Sequence, residues 1–157
     1  MQSQAVVRAA KAMLEQGSMA DAWTRQHGEV RKAIPVEAPK GVMQSWFVPV
    51  LHGERLLGFF ELTPELDVRR YSSFQKHAGD IEGCPPAADW IDPETIRRKV
   101  LQRLKGAVTG EPYLSFDTYP SRLAWAVPVT LAGGGSRLMF VAGDSVFEGR
   151  SDTGTTR

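Results

Sequence analysis

The chain has 157 residues, of which 42% are hydrophobic and 24% charged, with 19 Lys and Arg against 18 Asp and Glu. A chain this long buries about 70% of the surface its unfolded form exposes, so neither a metal nor a disulfide is needed to hold it together. The balanced charge provides no global field to attract nucleic acid or an anionic membrane, and the single cysteine, Cys84, excludes an internal disulfide and any cysteine-cluster metal site.

The N-terminal segment lacks the unbroken apolar core of a signal peptide, because Arg8 and Lys11 interrupt it. No apolar run approaches the roughly 18 residues that span a bilayer. The expectation is a soluble cytoplasmic protein, or an extracytoplasmic one had a signal segment been removed. Over the first 34 residues the spacing predicts two short helices. Val6, Ala10, Met13 and Leu14 recur at helical intervals, and Gly17 is placed as a C-terminal stop. Ser18-Met19-Ala20-Asp21 has the form of a capping box, which starts a second helix with Met19, Trp23, Val30 and Ile34 on one stripe. Pro35 and Pro39 end the helical reading, since proline disfavours helix in the residue before it.

From Val42 the period changes to that of strands. Trp46 to Val50 and Leu56 to Leu62 form a hairpin around His52-Gly53-Glu54 that is apolar on both faces, so both should be covered. Asp67 to Phe74 continues as a third strand. Residues 75–92 are an acidic connector with Asp80, Glu82, Asp89 and Asp92 against Lys76, expected to pack through Ile81 and Trp90. A well-marked helix follows: Asp92 as N-cap, Pro93 in the first turn, Ile91 and Ile96 as a hydrophobic staple, then Ile96, Val100, Leu101 and Leu104 as the buried stripe up to Gly106. Tyr113 to Phe147 is a second β segment with a turn at Gly133-Gly134-Gly135, and the polar residues 149–157 are expected to fray.

The two β segments share a motif. Trp46-Phe47-Val48-Pro49-Val50 matches Trp125-Ala126-Val127-Pro128-Val129, and each is followed by a turn and an apolar strand. Proline is rare inside strands because it removes a ladder donor, so its repetition three residues after a tryptophan favours a diverged internal duplication over chance. Each proline is expected at an edge or a bulge. The fold class that follows is α+β: two helix–β-hairpin units, at 1–74 and 93–148, joined by the connector 75–92, forming an antiparallel sheet with helices packed on one side. Both tryptophans are expected in the core.

A helix, an aromatic-x-Val strand and a second apolar strand resemble the PepSY type of module. Here the carriers are Pro93 to Leu104, Leu123-Ala124-Trp125-Ala126-Val127 and Leu138 to Gly143-Asp144. The resemblance implies a module that binds or restrains a partner without catalysing.

Reactive constellations are few. His27, His52 and His77 stand in no H-E-x-x-H arrangement, so a zinc site would need them to converge by folding. Gly133-Gly134-Gly135-Ser136 precedes a strand where a phosphate cradle needs a helix N-terminus. Cys84 has no Lys or Arg beside it in sequence to depress its pKa. The remaining candidate is the basic helix, where Arg97, Arg98, Lys99, Arg103 and Lys105 oppose only Glu94. Arg97, Arg98 and Arg103 are the candidate partner-binding residues. No aromatic interleaves with them, which disfavours nucleic acid. The reading is a non-catalytic binding or regulatory module for a protein or small-molecule partner. The alternatives are an enzyme whose site forms only in the fold and a nucleic-acid binder through residues 93–105. No catalytic residue, metal ligand or cofactor is expected.

Overall fold

A computed structural model of the chain describes residues 2–38, 41–116 and 122–149. Pro39 and the tail from residue 150 lie outside them. The protein is mixed α+β with antiparallel strand pairs. No helix among the described residues is long and apolar enough to cross a membrane. Two compact units divide the chain, one drawn from residues 1–36 and 43–87 and the other from 37–42 and 88–157.

In the first unit α1 (Gln2–Gln16) buries Val6, Ala10 and Leu14, one side chain per turn. The Gly17 N–H closes the helix by donating to the Met13 carbonyl. α2 is only Ala22–His27, against the expected helix from Ser18 to Ile34. Asp21, not Ser18, is its cap, because its carboxylate accepts from both the Thr24 N–H (2.8 Å) and the Thr24 hydroxyl (2.9 Å). At the far end Gly28 is extended, and Val30 and Ile34 lie in β1 (Glu29–Val30) and β2 (Ile34–Glu37). Pairing of Val30 with Val50 buries more apolar surface than a solvent-facing helical stripe would, and that tertiary gain overrides the local helical spacing.

The hairpin of β3 (Met43–His52) and β4 (Arg55–Leu62) is extended by β5 (Val68–Ser73), while β1 and β2 lie beside β3. Every residue from Ser45 to Leu51 and from Leu56 to Leu62 is buried, as the doubly apolar pattern requires. Trp46, Val48, Val50, Phe60 and Leu62 form one core with Val6, Ala10 and Leu14 of α1. Phe47 stacks on Phe59 at 4.6 Å. In the connector Ile81 packs on this core and Cys84 is buried in it, with the Arg55 guanidinium donating to the Cys84 carbonyl at 2.7 Å.

The second unit begins with α3 (Ala88–Ile91) and α4 (Pro93–Arg103). Asp92 caps α4 as expected, accepting from the Glu94 N–H and the Thr95 hydroxyl. The buried stripe is Ile96 and Val100; Leu101, assigned to it from sequence, is 38% exposed. At about 100° per residue Leu101 stands a quarter-turn beyond Val100, past the edge of the face that Ile96 begins. The strands are β6 (Val108–Thr109), β7 (Tyr113–Phe116), β8 (Leu123–Thr130), β9 (Ser136–Ala142) and β10 (Ser145–Glu148), with β6 and β7 beside β8, and β9 between β8 and β10.

Pairing in the two units follows one numbering. Trp46 faces Leu62 and Val48 faces Phe60; Trp125 faces Val141 and Val127 faces Met139, an offset of 79 on both strands (46 to 125, 62 to 141). The same offset carries Val30–Val50 onto Thr109–Val129. α1 packs on β1, β3, β4 and β5, and α4 packs on β6, β8, β9 and β10. Both tryptophans are buried, 7% and 4% exposed.

The prolines are not where they were expected. β3 and β8 are flanked on both sides, and although a register shift follows Val50 in the first hairpin, the second has none recorded at Pro128. What accommodates them is a gap in the neighbouring strand. The Arg31 N–H donates to the Pro49 carbonyl and the Gly110 N–H to the Pro128 carbonyl, each from the segment linking two short strands. A strand residue directs its N–H and C=O to the same side, so the side on which each proline lacks an N–H is the side of that linking segment, outside the named strands.

Candidate binding surface on the fourth helix

The fold sorts the five cations of α4 and its end into different roles. Arg97 is held by two carboxylates, Glu94 one turn earlier and Glu111 beyond the helix. Lys99 turns inward: its ammonium donates to Asp89 Oδ1 at 2.8 Å and to the Gly143 carbonyl at 2.6 Å, with Asp144 at 3.7 Å. Its side chain is 18% exposed and that of Asp89 17%, so the pair braces α3 and the β9–β10 turn against α4. Beside it the Trp125 indole N–H donates to the Trp90 carbonyl at 2.8 Å, and Trp90 lies against Gly143. Neither function for Lys99 was legible beforehand, although the acidic connector that provides Asp89 was a signal.

Arg98, Arg103 and Lys105 remain. All three are exposed and none has a partner among the described residues. Arg103 lies in the last turn, where a cation also complements the helix dipole. A shallow depression of about 470 Å³ on this surface is lined by Glu94, Arg97, Arg98, Leu101, Gln102 and Lys105. The half-exposed Leu101 gives it an apolar centre, and no aromatic side chain lines it. Of the sequence candidates, then, Arg98 and Arg103 are free, while the charge of Arg97 is already compensated.

The other candidates separate. His27 and His52 approach each other in the first unit, and His77 is exposed and takes no part. Among the described residues no three His, Cys, Asp or Glu gather as metal ligands would. The Cys84 thiol donates to the Asp80 carbonyl at 3.8 Å; burial pushes its pKa up, Asp80 adds to this, and Arg55 opposes it. A thiol so placed is protonated and unreactive at neutral pH. The Tyr71 hydroxyl is buried and makes no hydrogen bond of normal geometry among the described residues; burial raises its pKa strongly, Asp21 and Cys84 add to this, and the nearby Thr24 side chain opposes it. Gly133 to Gly135 form a hairpin turn, with the Leu131 N–H donating to the Gly135 carbonyl and Gly134 at φ +97°.

Compared with family models, with curated proteins and with solved structures, the chain matches none.

Proposed function

We propose that the protein is a non-catalytic binding module whose α4 surface receives an acidic segment of a protein partner. The observation that carries this reading is the pair of uncompensated cations that line the depression, Arg98 and Lys105, beside the exposed Leu101, with Arg103 a third free cation further round the helix. Cations alone would suit any polyanion. The apolar centre and the lack of a stacking ring favour a polypeptide over nucleic acid, whose bases reward aromatic platforms. Glu94 on the rim also disfavours a continuous phosphate backbone.

The test is fluorescence anisotropy of a labelled poly-glutamate peptide and a labelled DNA duplex with the intact chain. Reversing three exposed charges, as R98E/R103E/K105E, should weaken poly-glutamate binding by about tenfold or more, given a few tenths to 1 kcal/mol per exposed ion pair. Raising the salt should weaken it as well, because these charges are open to screening. Unchanged poly-glutamate binding by the triple variant overturns the proposal. Tighter binding of the duplex, lost in the same variant, replaces it with the nucleic-acid reading.

We also read the two units as diverged copies of one PepSY-like element. Support comes from the order that both units share among the described residues, helix and then five strands, and from strand pairs that keep the offset of 79. The hydrogen bonds to Pro49 and Pro128 keep it too. Homologous sequences should then preserve both W-x-V-P-V motifs at that spacing, and relatives that vary the spacing freely would count against a common origin.

A further inference from the structure

His27 is the last residue of α2 and His52 the last of β3. The pairing of Glu29 with Leu51 brings these two ends together. His27 Nδ1 lies 3.0 Å from the Trp23 carbonyl, and His52 Nδ1 lies 3.2 Å from the carbonyl of His27 itself. A carbonyl can only accept, so Nδ1 carries the proton in both neutral rings and Nε2 presents a bare lone pair. Neither Nε2 has a partner among the described residues. Anchoring one ring nitrogen on a backbone carbonyl fixes the tautomer and the orientation of the other, which is the outer-shell arrangement of metal-ligating histidines.

The spacing is also suitable. The ring centroids are 6.1 Å apart with planes at 88°. Two imidazoles sharing one ion through bonds of about 2.0–2.1 Å have centroids roughly 5–6.5 Å apart. Trp23 stiffens the pair, stacking on His27 at 4.5 Å and meeting His52 edge-on at 5.3 Å. Gly79 lies so close that a Cβ there would come within 3.4 Å of the Trp23 indole. His27 is exposed and His52 partly so, which leaves room for water to complete the coordination.

We propose that His27 and His52 form a two-imidazole site for a borderline divalent cation of the Zn²⁺, Ni²⁺ and Cu²⁺ class. Hard cations such as Mg²⁺ and Ca²⁺ are disfavoured, because they need oxygen ligands and no carboxylates gather with the rings.

The experiment is a Zn²⁺ titration of the intact chain with ¹⁵N-labelled imidazoles, followed by NMR and calorimetry, with Mg²⁺ as control. The Nε2 resonances of His27 and His52 should move together and saturate at one equivalent, with His77 unmoved. His27→Gln and His52→Gln should each weaken Zn²⁺ binding by about tenfold or more, while His77→Gln stays within about twofold. The proposal falls if only one of the two rings responds at the first equivalent. It also falls if either single substitution leaves the affinity intact, or if His77→Gln costs as much. Should a variant misfold, the NMR titration of the unsubstituted chain decides alone.

Discussion

Trp125→Ala is expected to cost about 3–5 kcal/mol, the range for truncating a large buried aromatic, and Trp46→Ala a comparable amount. Both rings are buried on the hairpins at corresponding registers. A conservative change should then separate them. The Trp125 indole N–H donates to the Trp90 carbonyl, whereas the Trp46 indole N–H is buried without a partner among the described residues. A buried unsatisfied donor costs about 1–3 kcal/mol, so removing it returns part of what the smaller ring loses in packing. Trp46→Phe should therefore destabilise less than Trp125→Phe. Urea unfolding of the four variants checks this; equal losses for the two phenylalanine variants would refute the asymmetry.

Gly58→Ala should cost about 3 kcal/mol, at the upper end for overpacking a well-filled core. Gly58 sits mid-strand in β4, opposite Val50 on one side and Ser73 on the other. A Cβ built there falls 2.3 Å from the Ser72 carbonyl oxygen and 2.4 Å from the Tyr71 hydroxyl. The tyrosine cannot swing clear, since its ring packs on Phe60 at 4.9 Å, and the carbonyl belongs to the neighbouring strand. The methyl group must therefore displace a strand. Chemical denaturation measures the cost, and a loss under about 1 kcal/mol would mean that β5 yields easily.

Legibility followed how local the determining physics was. The α4 start was readable because Asp92, Pro93 and the staple lie within a few residues and act through a cap. The hairpins were readable because burial on both faces leaves an apolar run in the sequence. The second helix was overextended because the pairing of Val30 with Val50 spans 20 positions and leaves no local trace. The prolines were misplaced for a related reason, since whether a strand is interrupted depends on its neighbour and not on itself. At the candidate surface, the sequence offered the cations but not their partners. Glu111 and Asp89 remove two of the five only once the chain has folded. The proximity of His27 and His52 was equally invisible, because a helix end and a strand end meet there.

Gly58 bears also on how the chain sorts its own strands. A polypeptide carrying W-x-V-P-V twice gives β3 two candidate partners with compatible patterns, β4 and β9, and a wrong pairing would trap a misassembled intermediate. The position that matches Gly58 at the offset of 79 is Arg137, which faces Val129 as Gly58 faces Val50. Were β9 to take the place of β4, an arginine would enter a slot in which even a methyl group collides with Tyr71 and the Ser72 carbonyl. Short turns make the correct partner the first one met, and this slot makes the wrong one sterically untenable. On this reading a residue with no side chain at position 58 bears on which of the two apolar strands fits beside β3 and β5.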